Sequence, residues 1–109
     1  MALEVVWADR ALVKLGEILE RIPEDRPAVA TRVINRMFDM AATLAAHPEM
    51  GRQYEPAPGS GLRQLIVGRY GLIYRIDEER EEVQIIALRH EREPTLPSEA
   101  WTETGDTEP

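Results

Sequence analysis

Cysteine is absent from this chain of 109 residues. Disulfides, thiolate metal sites and thiol nucleophiles are therefore excluded. Lysine is nearly absent too. Lys14 is the only one, and the other twelve of the thirteen basic side chains are arginine. Arginine suits bidentate contact with phosphate or carboxylate; a high-GC codon usage gives the same bias with no function attached. No apolar run approaches the roughly 18 residues of a membrane span, and Met1-Ala2-Leu3-Glu4-Val5 has no basic start of a signal peptide. A cytoplasmic location is expected, with no membrane partner. The two histidines and scattered acids form no metal-ligand motif, so neither a metal nor another cofactor is expected. No internal repeat is present.

The formal net charge of −7 is unevenly spread. No basic residue follows Arg92, whereas Glu93, Glu99, Glu103, Asp106 and Glu108 are acidic. Removing those five from the twenty acids leaves fifteen against thirteen bases in residues 1–92, a balance of −2. Five of the fifteen, Asp77, Glu78, Glu79, Glu81 and Glu82, crowd one turn. The rest of the chain can still present a locally positive surface.

Leu3 to Trp7 read as a short strand. Asp9 then fits the N-cap of a helix. Ala8, Ala11, Leu12, Leu15, Ile18, Leu19 and Ile22 recur at helical spacing, and Pro23 ends the run. Glu24-Asp25-Arg26-Pro27 opens a second helix, with proline in the first turn and acids at its positive end. Ala30, Val33, Ile34, Met37, Ala41, Leu44 and Ala45 form its apolar stripe, and His47-Pro48 stop it. His47 is expected to sit against that helix C-terminus. The short connection predicts an antiparallel helical hairpin. Residues 48–61 hold Pro48, Gly51, Pro56, Pro58, Gly59 and Gly61 and are expected to form no regular element. Three strands follow, over residues 62–67, 72–76 and 83–90, joined by Gly68-Arg69-Tyr70-Gly71 and by the acidic turn. The predicted fold is α+β, in the order β-α-α-β-β-β, with the helical hairpin packed on a small antiparallel sheet. Residues 1–93 make the domain. Residues 94–109 are an acidic C-terminal segment, of which about the last eight are expected to be disordered.

The strands are apolar on both sides. Leu65 and Val67 oppose Ile66; Leu72, Tyr74 and Ile76 oppose Ile73; Val83, Ile85 and Ala87 oppose Ile86 and Leu88. A sheet with one wet face would alternate apolar and polar residues. Either the segment around Leu96 and Trp101 folds back as a cover, or a partner chain does so. Leu12, Leu15, Leu19, Val33, Met37 and Leu65 are expected in the core. Tyr54, Tyr70 and Tyr74 read as half-buried, with exposed hydroxyls. Arg63, Arg69, Arg75, Arg89, Arg92 and His90 lie in or beside the strands. Arg63 alternatively pairs with a loop acid such as Glu55, and His90 is alternatively a hydrogen-bonded strand-end residue.

In order and spacing, these pieces resemble the RelE/ParE superfamily of toxins from type II toxin–antitoxin modules, its ParE branch more than its RelE branch. The resemblance runs from about Val5 to Arg92. It is carried by Trp7 with Ala11; by Leu44, His47-Pro48 and Gly51-Arg52; by Gly61-Leu62-Arg63 with Leu65 and Val67; by Tyr70 with Ile73-Tyr74-Arg75; and by Ile85 with His90 and Arg92. It implies a small cytosolic toxin without cofactor, held inactive in a hetero-oligomer with a cognate antitoxin. ParE-like members bind and poison DNA gyrase, for which Arg63, Arg69, Arg75, Arg89 and Arg92 are the candidate contacts and no catalytic group is needed. The tip of the helical hairpin, Pro23 to Pro27, is a further candidate. RelE-like members cut messenger RNA on the ribosome. That chemistry would draw on Arg63, Arg89 and Arg92 to stabilise charge on the phosphate and on His90 as general acid or base. It is thought also to use a tyrosine in the C-terminal segment, where this chain has Pro97; nothing after Tyr74 is a tyrosine. The acidic tail also suits ribosomal RNA poorly. A third reading is an attenuated homologue that binds a partner without toxicity.

Overall fold

The computed structural model describes residues 3–93. The elements are β1 (Glu4–Trp7), α1 (Asp9–Glu20), α2 (Pro27–Thr43), β2 (Arg52–Gln53), β3 (Arg63–Val67), β4 (Tyr70–Asp77) and β5 (Glu82–His90). They build an α+β domain with one five-stranded sheet in the order β1-β5-β4-β3-β2. The sheet is mixed rather than antiparallel throughout. β1 pairs with β5 in parallel, Glu4 opposite Glu82 and Trp7 opposite Ile85; both helices and β2 to β4 lie between them in the chain, which gives the long connection that a parallel pair requires. β2 lies within the segment expected to be irregular and pairs with β3 through Arg52–Gln64 and Gln53–Arg63.

Pro27 opens α2 as expected. The N-cap of α1 is Ala8, not Asp9, which is already the first helical residue. No side chain caps that end; the Asp9 carboxylate stands in the first turn, where the helix dipole favours it. α2 ends at Thr43, four residues before His47. The His47 backbone N–H donates to the Thr43 carbonyl (3.0 Å) and closes the last turn.

Ala11, Leu15 and Ile18 of α1 and Met37, Ala41 and the adjoining Leu44 of α2 bury against Leu65, Val67, Leu72, Tyr74, Val83, Ile85 and Leu88. Leu19 and Val33 pack partly against this layer. Leu12 does not join it and is 44% exposed. It adjoins Ala11 and Val13 in sequence and falls just outside the arc that Ala11, Leu15 and Ile18 turn to the sheet. β5 carries a bulge: Ile73 pairs with Ala87 but Tyr74 with Ile85, so Ile86 is the extra residue. The bulge reverses the alternation beyond it. Leu88 therefore joins Val83 and Ile85 on the helix side, and Ala87 turns to the other side with Ile86.

The other side of the sheet has its own small core of Tyr54, Ala57, Leu62, Ile73, Ile86 and Ala87. Residues 54–62 supply the cover. The loop closes on itself through Tyr54 N–H to Leu62 O (2.9 Å), Ala57 N–H to Tyr54 O (3.1 Å) and the Ser60 hydroxyl to Ala57 O (2.6 Å). Gly59 and Gly61 take positive φ values of 79° and 83°, which glycine adopts without steric cost. The expectation that the segment around Leu96 and Trp101 makes the cover falls outside the described residues, as does the disorder expected at the C-terminus.

Candidate functional site

The register divides the strand arginines between the two sides of the sheet. Arg63 stands beside Tyr74, on the helix side. Its Nη1 donates to the carbonyls of Gly51 (2.7 Å) and Glu49 (3.4 Å), so Arg63 braces the 49–51 backbone instead of pairing with Glu55. Tyr74 converges on the same loop. Its hydroxyl donates to Pro48 O (2.7 Å) and accepts from Gly51 N–H (2.9 Å). The hydroxyls of Tyr54 and Tyr74 are thus not exposed: the two residues are 1% and 0% accessible. Burial raises the pKa of both phenols, opposed by Arg89 at Tyr54 and by the Gly51 N–H and Arg63 at Tyr74.

Arg75 and Arg89 lie on the side away from the helices. Arg75 pairs with Gln84, and its Nε donates to Gln84 Oε1 (2.8 Å). Gln84 Nε2 in turn donates to Glu82 (2.9 Å) and Asp77 (3.3 Å). Arg89 pairs with Gly71, and its Nη2 donates to the Glu93 carbonyl. Gly71 and Arg75 are four residues apart on β4, about 13 Å in a strand. Arg69, in the turn opened by Gly68 at φ 62°, and Arg92 are both exposed. The Arg69 carbonyl accepts the Glu91 N–H (2.8 Å), which brings the two turns together. Arg69, Arg89 and Arg92 therefore gather at the end of β5, whereas Arg63 and Arg75 stand at the far end on opposite faces.

His90 points the other way from Arg89. It pairs with Tyr70, and the two rings meet edge to face at 5.2 Å and 80°. His90 borders a cavity of about 140 Å³ on the helix side, lined also by Lys14, Glu17, Ile18, Arg21, Tyr70 and Glu93. Its Nδ1 accepts the Arg92 backbone N–H (3.1 Å). This leaves Nε2 as the nitrogen that carries the proton in neutral imidazole. Among the described residues no group of three histidines, aspartates and glutamates could hold a metal.

Glu93 ties this end of the sheet together. Its carboxylate pairs with Lys14 of α1 and accepts the His90 N–H (2.9 Å). The Lys14 hydrogen bond, opposed by burial and aided by the His90 N–H, holds the Glu93 pKa below its ordinary 4.5. A carboxylate whose folded pKa is depressed contributes stability that is present above its unfolded pKa and lost as pH falls through the folded one. Glu93→Gln is expected to destabilise the chain at neutral pH. As pH falls through the lowered folded pKa of Glu93, the difference from wild type should shrink away. Denaturant unfolding of both proteins across that range checks this; a deficit that persists in acid contradicts it.

Neither Lys14 nor Glu93 stood out in the sequence as a partner, because 79 residues separate them. Gln64 was equally silent. Gly71 was expected in the turn; the structure places it inside β4 (Tyr70–Asp77), where a glycine marks close approach of another group.

The ParE toxin family of the type II toxin–antitoxin system parDE matches residues 5–94. Toxin RelE2 of Caulobacter vibrioides is 34% identical over 88 residues, covering 80% of this chain and 93% of that protein. Among solved structures, the chromosomal ParDE system of P. aeruginosa superposes with a TM-score of 0.66 at 19% identity, over 82% of this chain and 96% of that one. The RelBE2 toxin–antitoxin complex of Mycobacterium tuberculosis gives 0.58 at 23% identity, over 83% and 99%. At such identities the superpositions speak for the fold alone. The family match and the sequence relative carry the classification: the chain belongs to the ParE toxin family of type II toxin–antitoxin systems, within the RelE/ParE superfamily.

Proposed function

We propose that this toxin acts by binding and inhibiting DNA gyrase, and that a cognate antitoxin neutralises it. The observation that carries this reading is the separation of the chemical groups. RNA cleavage needs an acid or base and a charge-stabilising cation converging on one phosphate. Here the His90 side chain faces α1, while Arg89 and Arg75 face away from it. Arg63 is engaged with loop carbonyls on the helix side. A binding toxin needs no such convergence. Arg69, Arg89 and Arg92 at the end of β5, with Arg75 on the same side of the sheet as Arg89, form its proposed target surface. The antitoxin is proposed to cover outward apolar side chains of the helical hairpin. Leu12, Val13 and Phe38 are 44%, 62% and 40% exposed, and an amphipathic partner segment suits such a face. The similarity to Toxin RelE2 keeps ribosome-dependent cleavage of messenger RNA as the second reading, and an attenuated, non-toxic homologue as the third.

His90→Ala separates the first two. Gyrase inhibition is expected to be unchanged. A nuclease using His90 as acid or base would lose roughly 100-fold in cleavage. Primer extension on translated messages, with and without the substitution, reads this directly. Codon-phased cuts that vanish in the variant would overturn the gyrase reading.

A further inference from the structure

Two buried polar atoms on the side of the sheet away from the helices, Gln64 Oε1 and Arg89 Nε, have no hydrogen-bond partner among the described residues. One is an acceptor only and the other a donor only. They are neighbours across one glycine. β4 runs between β3 and β5, and Gly71 pairs with Arg89 on one flank. Gln64 reaches in from the other. A Cβ placed on Gly71 would lie 2.2 Å from Gln64 Oε1, 3.0 Å from Gln64 Cδ and 3.3 Å from Arg89 Cγ. The Gln64 amide thus occupies the space that any other residue at position 71 would fill, and Arg89 borders the same space. Buried donors and acceptors in folded proteins are nearly always met, and these two side chains, one offering an acceptor and the other a donor, border the same space above Gly71. Arg89 Nη2 is already held by the Glu93 carbonyl, so a bond at Nε would fix the guanidinium at two points.

We infer that Gln64 is the positioning residue for Arg89. Its side-chain carbonyl accepts the Arg89 Nε proton over Gly71 and fixes the guanidinium on the target-facing side of the sheet. The glycine is required because a methyl group there displaces the amide. This rests on the proposed function only for what the fixed guanidinium is for. The bond itself is independent of any target.

The test is NMR of the full chain labelled with nitrogen-15, with the Arg89 Nε–H signal assigned by its loss in Arg89→Lys. In the wild type this proton is expected to exchange slowly. Gln64→Leu, which removes the acceptor, is expected to speed its exchange about tenfold or more while backbone amides of the sheet stay protected. Gln64→Glu, which keeps an acceptor, is expected to restore slow exchange. Gly71→Ala gives a second route, because it leaves Gln64 intact but evicts its amide; it should match Gln64→Leu. An Arg89 Nε proton equally protected in Gln64→Leu and Gly71→Ala, with the sheet still folded, overturns the assignment. If instead the proton is released but gyrase inhibition does not change, the positioning stands and the proposed target surface fails.

Discussion

Gly51→Ala is expected to cost about 3 kcal/mol or more in unfolding free energy, combining overpacking with a buried hydrogen bond broken. An added Cβ would sit 2.7 Å from the Tyr74 hydroxyl, 2.8 Å from Tyr74 Cε1 and 2.8 Å from the backbone carbonyl of Gln64. None of these can step aside. The Tyr74 ring is fully buried, and the Gln64 carbonyl belongs to the strand. Moving residue 51 outward instead breaks the Gly51 N–H to Tyr74 hydroxyl bond and pulls its carbonyl from Arg63. Denaturant unfolding checks the value. A variant as stable as the wild type would show that the Pro48–Gly51 segment does not pack as described.

Charge reversal at both Arg69 and Arg92 is expected to weaken target binding roughly tenfold or more at low salt without changing stability. Both side chains are exposed. Deleting residues 102–109 removes Glu103, Asp106 and Glu108 and moves the formal charge from −7 to −4. If those acids screen the arginines from an anionic target, truncation strengthens binding most where salt is low. Binding of gyrase to the three proteins at two salt concentrations decides both points. Double-reversal variants that bind as tightly as wild type would place the target surface elsewhere.

Much of the architecture was legible in the sequence because hydrophobic period reports burial. The stripes Ala11–Leu15–Ile18 and Met37–Ala41–Leu44 point to the sheet as their spacing requires. Leu12 marks the limit of that reasoning: apolar character alone does not place a residue one position outside the buried arc. The cover over Ile73 and Ile86 was hidden by composition. Proline and glycine at 56–61 do prevent a long regular element, yet they also shape a closed loop that carries Tyr54, Ala57 and Leu62 inward. The bulge at Ile86 has no sequence signature of its own, and it reverses the faces of Ala87 and Leu88. The candidate site was less legible. Arginines at regular strand positions looked alike, and only the register shows that Arg63 and Arg89 occupy opposite sides. Hydrogen bonds to backbone carbonyls, such as those of Arg63 and Tyr74 around Gly51, depend on a loop path that local patterning does not reveal.

Inhibition of DNA gyrase by this chain, lifted by an antitoxin, is the proposed activity. The direct measurement is supercoiling of relaxed plasmid by purified gyrase as the purified chain is titrated in, then as the cognate antitoxin is added. The expected result is dose-dependent loss of supercoiling, unaltered by His90→Ala, relieved by the double reversal at Arg69 and Arg92, and abolished by stoichiometric antitoxin. Undiminished supercoiling at saturating toxin, together with ribosome-dependent cleavage of messenger RNA by the same preparation, would contradict it.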